Sequence, residues 1–301
     1  MFRTATAGAA VTVGLASATL AIGCANSEDA TSSAPLALTG RPIVPVREVA
    51  LRVAAEEVVT GLCMERAGFR YPRATQAEIV DEQRRSVAQP YGFRTAAAAQ
   101  QAVTRREELR REAPSIALKD RYKATLTAPE LARYQRAYYG RVDQAGLATI
   151  ALPEGRAITV AIGGCRGVAL RRLYGDPVEW LRLDGSVDVV RALIVHATVS
   201  SPAVRRALRS WRRCARSKGI RSANPFVAAF HAARLPAEQR VGRAGAIWKC
   251  QVRASLVDVG LATERKLAAP ITEQHRHDLK EYQARSQRAA QTAAQIVTAG
   301  R

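Results

Sequence analysis

Acidic residues are missing from one long stretch of this chain: between Val189 and Ala237 there is no Asp or Glu. Lysine is scarce as well. Of 46 basic residues, forty are arginine and six lysine, against 26 acidic ones, which leaves a formal net charge of +20 over 301 residues. Such a balance points either to an anionic partner or to the arginine, alanine, valine and glycine inflation of high-GC coding. Catalytic signatures are also wanting: there is no G-x-S-x-G, S-x-x-K, H-E-x-x-H or P-loop. The four histidines form no ligand pattern: His196 and His231 sit in apolar stretches, and His275 and His277 stand two apart on an expected helix and so diverge. No close cysteine pair of the C-x2-C kind exists, so a structural zinc site is not expected. Neither a metal nor another cofactor is therefore expected. Finally, no apolar run is long enough for a comfortable membrane span.

What the N-terminus does have is the outline of an export signal. Arg3 precedes an uncharged run from about Ala9 to Gly23 made of small and apolar residues. No twin-arginine pair is present, so ordinary secretory export is the expected route. The run ends in "AIGC", which resembles a bacterial lipobox. That resemblance implies a signal peptide over 1–23, diacylglyceryl transfer to the Cys24 thiol and cleavage before it. Two acyl chains hold a protein to a bilayer far better than one. "ANSEDATSSAPLALTGRP" follows, rich in Ser, Thr, Ala and Pro, and suits a flexible tether over 24–43. The expected location is the outer face of the cell membrane, which argues against nucleic acid as the partner of the basic residues.

Export bears on the other cysteines. With Cys24 lipidated, Cys63, Cys165, Cys214 and Cys250 remain, an even number in a disulfide-permissive compartment. Four cysteines allow three connectivities. A weak internal repeat favours one of them. "GLCMERAGFRYP" and "RRCARSKGIRSANP" both read Cys-x4-Gly, then an apolar residue, then Arg; "GCRGVAL" and "KCQVRASL" share Cys-x3-Ala. The repeat suggests two related halves, 44–184 and 185–301, stapled by Cys63–Cys165 and Cys214–Cys250 respectively.

Periodicity predicts a mainly α fold. A helix from Val46 ends at Gly68, with Leu51, Ala55, Val58 and Leu62 on one stripe and Glu48, Arg52 and Glu56 on another. "TAAAAQQAVTRREELRREAP" reads as a helix stopped by Pro114. "TAPELARYQRAYYG" opens with Thr127 as cap and Glu130 as its capping-box partner. "DPVEWLRL" reads as a short helix before a boundary near 184–200. "SSPAVRRALRSWRRCARSKG", "LPAEQRVGRAGAIWKCQVRASL" and "ITEQHRHDLKEYQARSQRAAQTAAQIV" each read as one helix. The exception is "ATIALPEGRAITVAIGG", a small β-hairpin near 148–162. Gly163 to Gly167 ("GGCRG") then either cradle an anion at a helix start or turn the hairpin into the next helix.

The motifs "CMERAGFRY", "LARYQRAYYG", "GGCRGVALRRLYGD" and "SWRRCARSKGI" together resemble secreted lipoproteins of high-GC Gram-positive bacteria, over most of residues 45–260. Ala215 and Ile220 depart from that pattern, as does the lack of an acidic residue in "RAGAIWKC". The resemblance implies a helical, cysteine-paired fold but no activity.

One cluster stands above the background charge. Arg205, Arg209, Arg212 and Arg216 recur at i, i+4, i+7 and i+11 and so share a helix face, widened by Arg206 and Arg213. Val204, Leu208, Trp211 and Ala215 lie opposite and suit burial. The face fits anionic lipid headgroups or a wall polymer; the plainer reading is a solvated face paired with acids from elsewhere in the fold. Together these features predict a lipid-anchored, non-enzymatic binding or scaffolding module of the cell envelope. The alternative is an extracytoplasmic hydrolase, which would need carboxylates or a Ser/His pair converging in a cleft.

Overall fold

The computed structural model describes residues 37–38, 41–80, 91–104, 114–141, 143 and 146–299. Cys24, the expected signal segment and most of the expected tether lie outside the described residues. The tether's last part pairs Ala37–Leu38 (β1) with Arg41–Pro42 (β2), and Ile43 and Val44 already pack on the core.

The fold is mainly helical, as the sequence predicts. Helices α1 (Val46–Arg66), α2 (Ala96–Thr104), α3 (Pro114–Ala124) and α4 (Ala128–Tyr139) precede a hairpin of β3 (Leu147–Ala151) and β4 (Ala157–Ala161). After it come α5 (Gly164–Tyr174), α6 (Pro177–Ser200), α7 (Pro202–Ser217), α8 (Pro225–Ala232), α9 (Ala237–Arg253), α10 (Leu256–Gln274) and α11 (Arg276–Ala299). Both disulfides form with the pairing that the repeat favours, Cys63–Cys165 and Cys214–Cys250.

Local signals act where the residues place them. At the end of α1, the Gly68 N–H reaches the Glu65 carbonyl and the Phe69 N–H reaches Met64. At the end of α7, Gly219 and Ile220 make the same two bonds to Arg216 and Ala215. Each is a Schellman ending, with glycine at positive φ and an apolar residue folded back on the helix. The Cys-x4-Gly repeat is thus a repeated helix stop that sets a cysteine one turn before the end. Their partners are not equivalent: Cys165 opens α5, whereas Cys250 sits in the last turn of α9. Glu130 accepts from the Thr127 N–H at 2.8 Å and from its hydroxyl at 2.6 Å, which closes the expected capping box. In the hairpin, Leu147 pairs with Ala161 and Ala151 with Ala157. Glu154 and Gly155 both take positive φ at its tip, as a type I′ turn requires.

Several elements differ from expectation. The short helix expected at Asp176 runs on to Ser200, straight through the region where a boundary was expected. Gly185 lies within it, where Leu152 of the hairpin stands 2.7 Å from the place a Cβ would take, so a larger residue would collide with the hairpin. Pro114 begins α3, and residues 105–113 lie outside the described set. Ser255, in the left-handed region, separates α9 from α10, and His275 separates α10 from α11. On α1 the core side is Val49, Arg52, Ala55 and Val59, while Leu62 is exposed. The helix is covered on two sides, by α5 and α11, so its buried arc takes in the polar stripe.

Two main cores result, and each borrows a helix from the other sequence half. The first joins α1, α5, α6 and the hairpin's Ile150 to Tyr282, Ala289, Ala293 and Ile296 of α11. The second joins α7, α8 and α9 around Trp211 to Phe93 and to Ala99 and Val103 of α2. Helix α10 lies along α6 and α7. A smaller cluster of Met64, Tyr71, Tyr134 and Tyr138 surrounds Cys165.

Candidate functional site

The hydroxyl of Ser201 accepts from the Val204 N–H at 3.2 Å, and Pro202 opens α7. One side of α7 is buried through Val204, Ala207, Trp211 and Ala215; Leu208, expected there, is only half-buried. The Trp211 indole donates to the Ile247 carbonyl at 3.4 Å and ties α7 to α9. The opposite side exposes Arg205, Arg206, Arg209, Arg213 and Arg216. Arg212 is half-buried and its Nε donates to the Ala223 carbonyl at 2.8 Å, so it also braces the entry to α8. No carboxylate lies within ion-pairing distance of these arginines among the described residues. Arg243 donates to the carbonyls of Lys218 and Gly219 at the end of α7 and extends the positive surface there.

Helix α8 adjoins this face, and sequence reasoning did not single it out. Asn224 caps it, accepting from the Val227 N–H at 2.9 Å. Its inner side is alanine: Ala228, Ala229 and Ala232 are buried. Its larger apolar side chains are the exposed ones, with Phe226 36%, Val227 37% and Phe230 48% exposed, although the Phe226 ring also stands edge-on to the buried Phe93 at 5.1 Å. The signal in the sequence is "NPFVAAFHAA", where the alanines and the larger residues fall on opposite faces.

A charged centre lies inside the first core. Arg52 is 1% exposed. Its Nη1 donates to the Tyr174 hydroxyl at 3.2 Å, and that hydroxyl donates to Glu56 Oε1 at 2.5 Å. The guanidinium sits 5.0 Å from the Trp180 ring centre, Trp180 stacks on Tyr174 at 3.8 Å, and Tyr282 also stacks on Trp180 at 5.3 Å. Burial works against the charge on Arg52, but the surrounding Tyr174, Tyr282, Asp184 and Glu56 outweigh it and raise its pKa. Burial pushes the Glu56 carboxyl up, opposed by the Tyr174 hydrogen bond and the Arg52 charge. Rings close over this centre, so it organises packing rather than meeting a ligand. A second buried contact, Lys119 on Glu57 at 2.8 Å and on the Tyr71 hydroxyl at 3.1 Å, fastens α3 to α1.

A cleft of about 550 Å³ opens beside α9 and the start of α10. Phe93, Trp248, Val252 and Leu256 form its apolar walls, with Arg94 and Arg265 at its edge. Gln251 pins its near side, accepting from the Phe93 N–H at 2.8 Å and donating to the Phe93 carbonyl at 2.5 Å. Its lining holds one carboxylate, Asp258, and no histidine among the described residues. Among those residues no cluster of three His, Cys, Asp or Glu side chains could hold a metal. Gly164 and Gly140 meet backbone to backbone: a Cβ on Gly164 would collide with the Gly140 nitrogen and the Tyr138 carbonyl oxygen, and one on Gly163 would stand 3.3 Å from the Tyr139 carbonyl oxygen. Those glycines therefore serve a close chain crossing. No single helix among the described residues is long and apolar enough to cross a membrane. Comparison with protein-family models, curated proteins and solved structures finds no match to this chain.

Proposed function

We propose that the chain is an extracytoplasmic lipoprotein, held at the outer face of the cell membrane through Cys24, whose α7 face binds an anionic lipid headgroup or wall polymer without catalysing a reaction. The observation that carries this reading is the row Arg205, Arg209, Arg212 and Arg216, flanked by Arg206 and Arg213, on a stapled helix with no carboxylate partner among the described residues. A solvated arginine face balanced by the rest of the fold would show such partners. Two disulfides are compatible with an oxidising compartment. A rigid helix holding like charges at fixed spacing loses little further freedom on meeting a polyanion.

The test is cosedimentation of residues 32–301, one compact unit that contains both disulfides, with vesicles rich in phosphatidylglycerol and, in parallel, with teichoic-type polymer. Binding is expected in low salt and lost in high salt. Replacing Arg205, Arg209, Arg213 and Arg216 with Gln should abolish it. Undiminished binding by that variant would remove the α7 face from the function.

A further inference from the structure

We infer that α8 is the membrane-inserting element of this protein: its Phe226, Val227 and Phe230 enter the interface of an anionic bilayer while the arginines around them hold the headgroups. This rests on the proposed membrane location and selects the bilayer, rather than a wall polymer, as the partner.

The first ground is an inverted helix. Burial normally takes the larger apolar side chains of a helix and leaves small or polar ones outside. In α8 the alanines are inside, while two of the chain's five phenylalanines and the valine between them keep a third to a half of their surface exposed, Phe226 with one edge against Phe93. Positions 226, 227 and 230 fall within a single arc of the helix. No other helix among the described residues exposes more than two large apolar residues. Scattered exposed apolar residues are ordinary, but an aromatic cluster on one face is a docking surface.

The second ground is charge. The connection that leads into α8 carries the exposed Arg221 and is held by Arg212 through the Ala223 carbonyl. At the other end, Arg234 places its guanidinium 4.5 Å from the Phe230 ring centre. The acid-free stretch from Val189 to Ala237 contains all of α7 and α8, and α2, which packs beneath α8, has no acidic residue. A second copy of this chain would bring arginine against arginine across such a surface, which opposes self-association. A wall polymer would pair with the arginines but leaves Phe226 and Phe230 in water. An anionic bilayer satisfies both: phosphates meet the guanidinium groups, and the aromatic face is buried among the glycerol and upper acyl groups. The third ground is reach. The stretch from Cys24 to Ile43 spans at most about 65 Å even when extended, so an anchored chain keeps the fold within reach of the bilayer.

The experiment uses the full chain carrying Phe230→Trp, attached to vesicles, with the unsubstituted chain as reference. Trp180 and Trp211 are buried and Trp248 is half-buried at the cleft; all three are present in the unsubstituted chain as well, so the difference in emission between the two chains reports position 230. On vesicles containing phosphatidylglycerol, the added emission is expected to shift to shorter wavelength and to be quenched when brominated acyl chains replace the normal ones. Phosphatidylcholine vesicles should give neither change. Salt-sensitive binding to anionic vesicles with an unshifted, unquenched Trp would overturn the insertion and leave the α7 reading standing. Unquenched emission from a chain that sediments as a dimer would assign α8 to a second copy. Retained binding to wall polymer alone, with no vesicle effect, would also overturn it.

Discussion

The two disulfides should stabilise the fold unequally, and the structure sets the difference. Cys63–Cys165 joins residues 102 apart and Cys214–Cys250 residues 36 apart. In the chain-entropy account, a cross-link acts by limiting the unfolded chain, in proportion to the logarithm of the loop it closes. The longer loop is then worth about 4.7 kcal/mol and the shorter about 3.8, a difference of about 0.9 kcal/mol. Local packing adds little to that difference, because each pair has one deeply buried member, Cys165 at 3% and Cys250 at 1% exposure, and each loses the same atoms on conversion to alanine. Urea unfolding of the Cys63→Ala/Cys165→Ala and Cys214→Ala/Cys250→Ala variants, followed by far-UV circular dichroism, measures both costs. The first variant should be the less stable by roughly 1 kcal/mol. Equal costs, or a larger cost for the second pair, would refute the loop-entropy reasoning. The two loops do not overlap along the chain, so their effects should add to about 8.5 kcal/mol, a large share of a domain's total stability. Reductant alone should therefore unfold the chain.

The buried centre in the first core gives another expectation. Arg52→Met and Glu56→Gln should each cost about 3 kcal/mol, since each leaves a buried partner uncompensated. The double variant should cost less than their sum by about 1–3 kcal/mol, and strictly additive urea data would deny the coupling. Acid should weaken the fold through other carboxyls. The hydrogen bond from Arg182 holds Glu179 below its usual value of 4.5, so its contribution is present above pH 4.5 and is lost as pH falls through the lowered value. The stability gap between the native chain and Arg182→Gln should accordingly shrink as urea midpoints are followed downward from pH 4.5; a constant gap would exclude that pair as a source of acid lability.

Features set by neighbouring residues were legible in the sequence. Gly68 and Gly219 ended their helices because each could take the left-handed conformation with an apolar residue right behind it, and that Gly-apolar pair is written in the sequence. Thr127 with Glu130, and Ser201 with Pro202, marked helix starts by chemistry that needs no distant partner. The arginine face of α7 followed from spacing alone. Features set by remote partners were not legible. Arg52 sits on the core side of α1 because Tyr174, Trp180 and Glu56 meet it there, and Tyr174 and Trp180 are more than a hundred residues away. Gly185 stands inside α6 because Leu152, more than thirty residues earlier, leaves no room for a Cβ there. Gln251 looks like a surface residue on α9 until Phe93 arrives with its backbone N–H and carbonyl. The outward phenylalanines of α8 contradict the burial rule that sequence reading relies on, and for that reason they were passed over.

The placement of α11 bears on when this protein can fold. Its Tyr282, Ala289, Ala293 and Ile296 complete the core that α1 begins. A chain emerging from its N-terminus has no finished first core until Ile296 is delivered. Cys63 and Cys165 are thus released long before the helix that locks their surroundings. Cys214 and Cys250 emerge between them and that helix, so four thiols coexist before the first core closes. Pairing must be decided on a partly folded chain, where an early Cys63–Cys165 link holds α1 and α5 together for the arrival of α11.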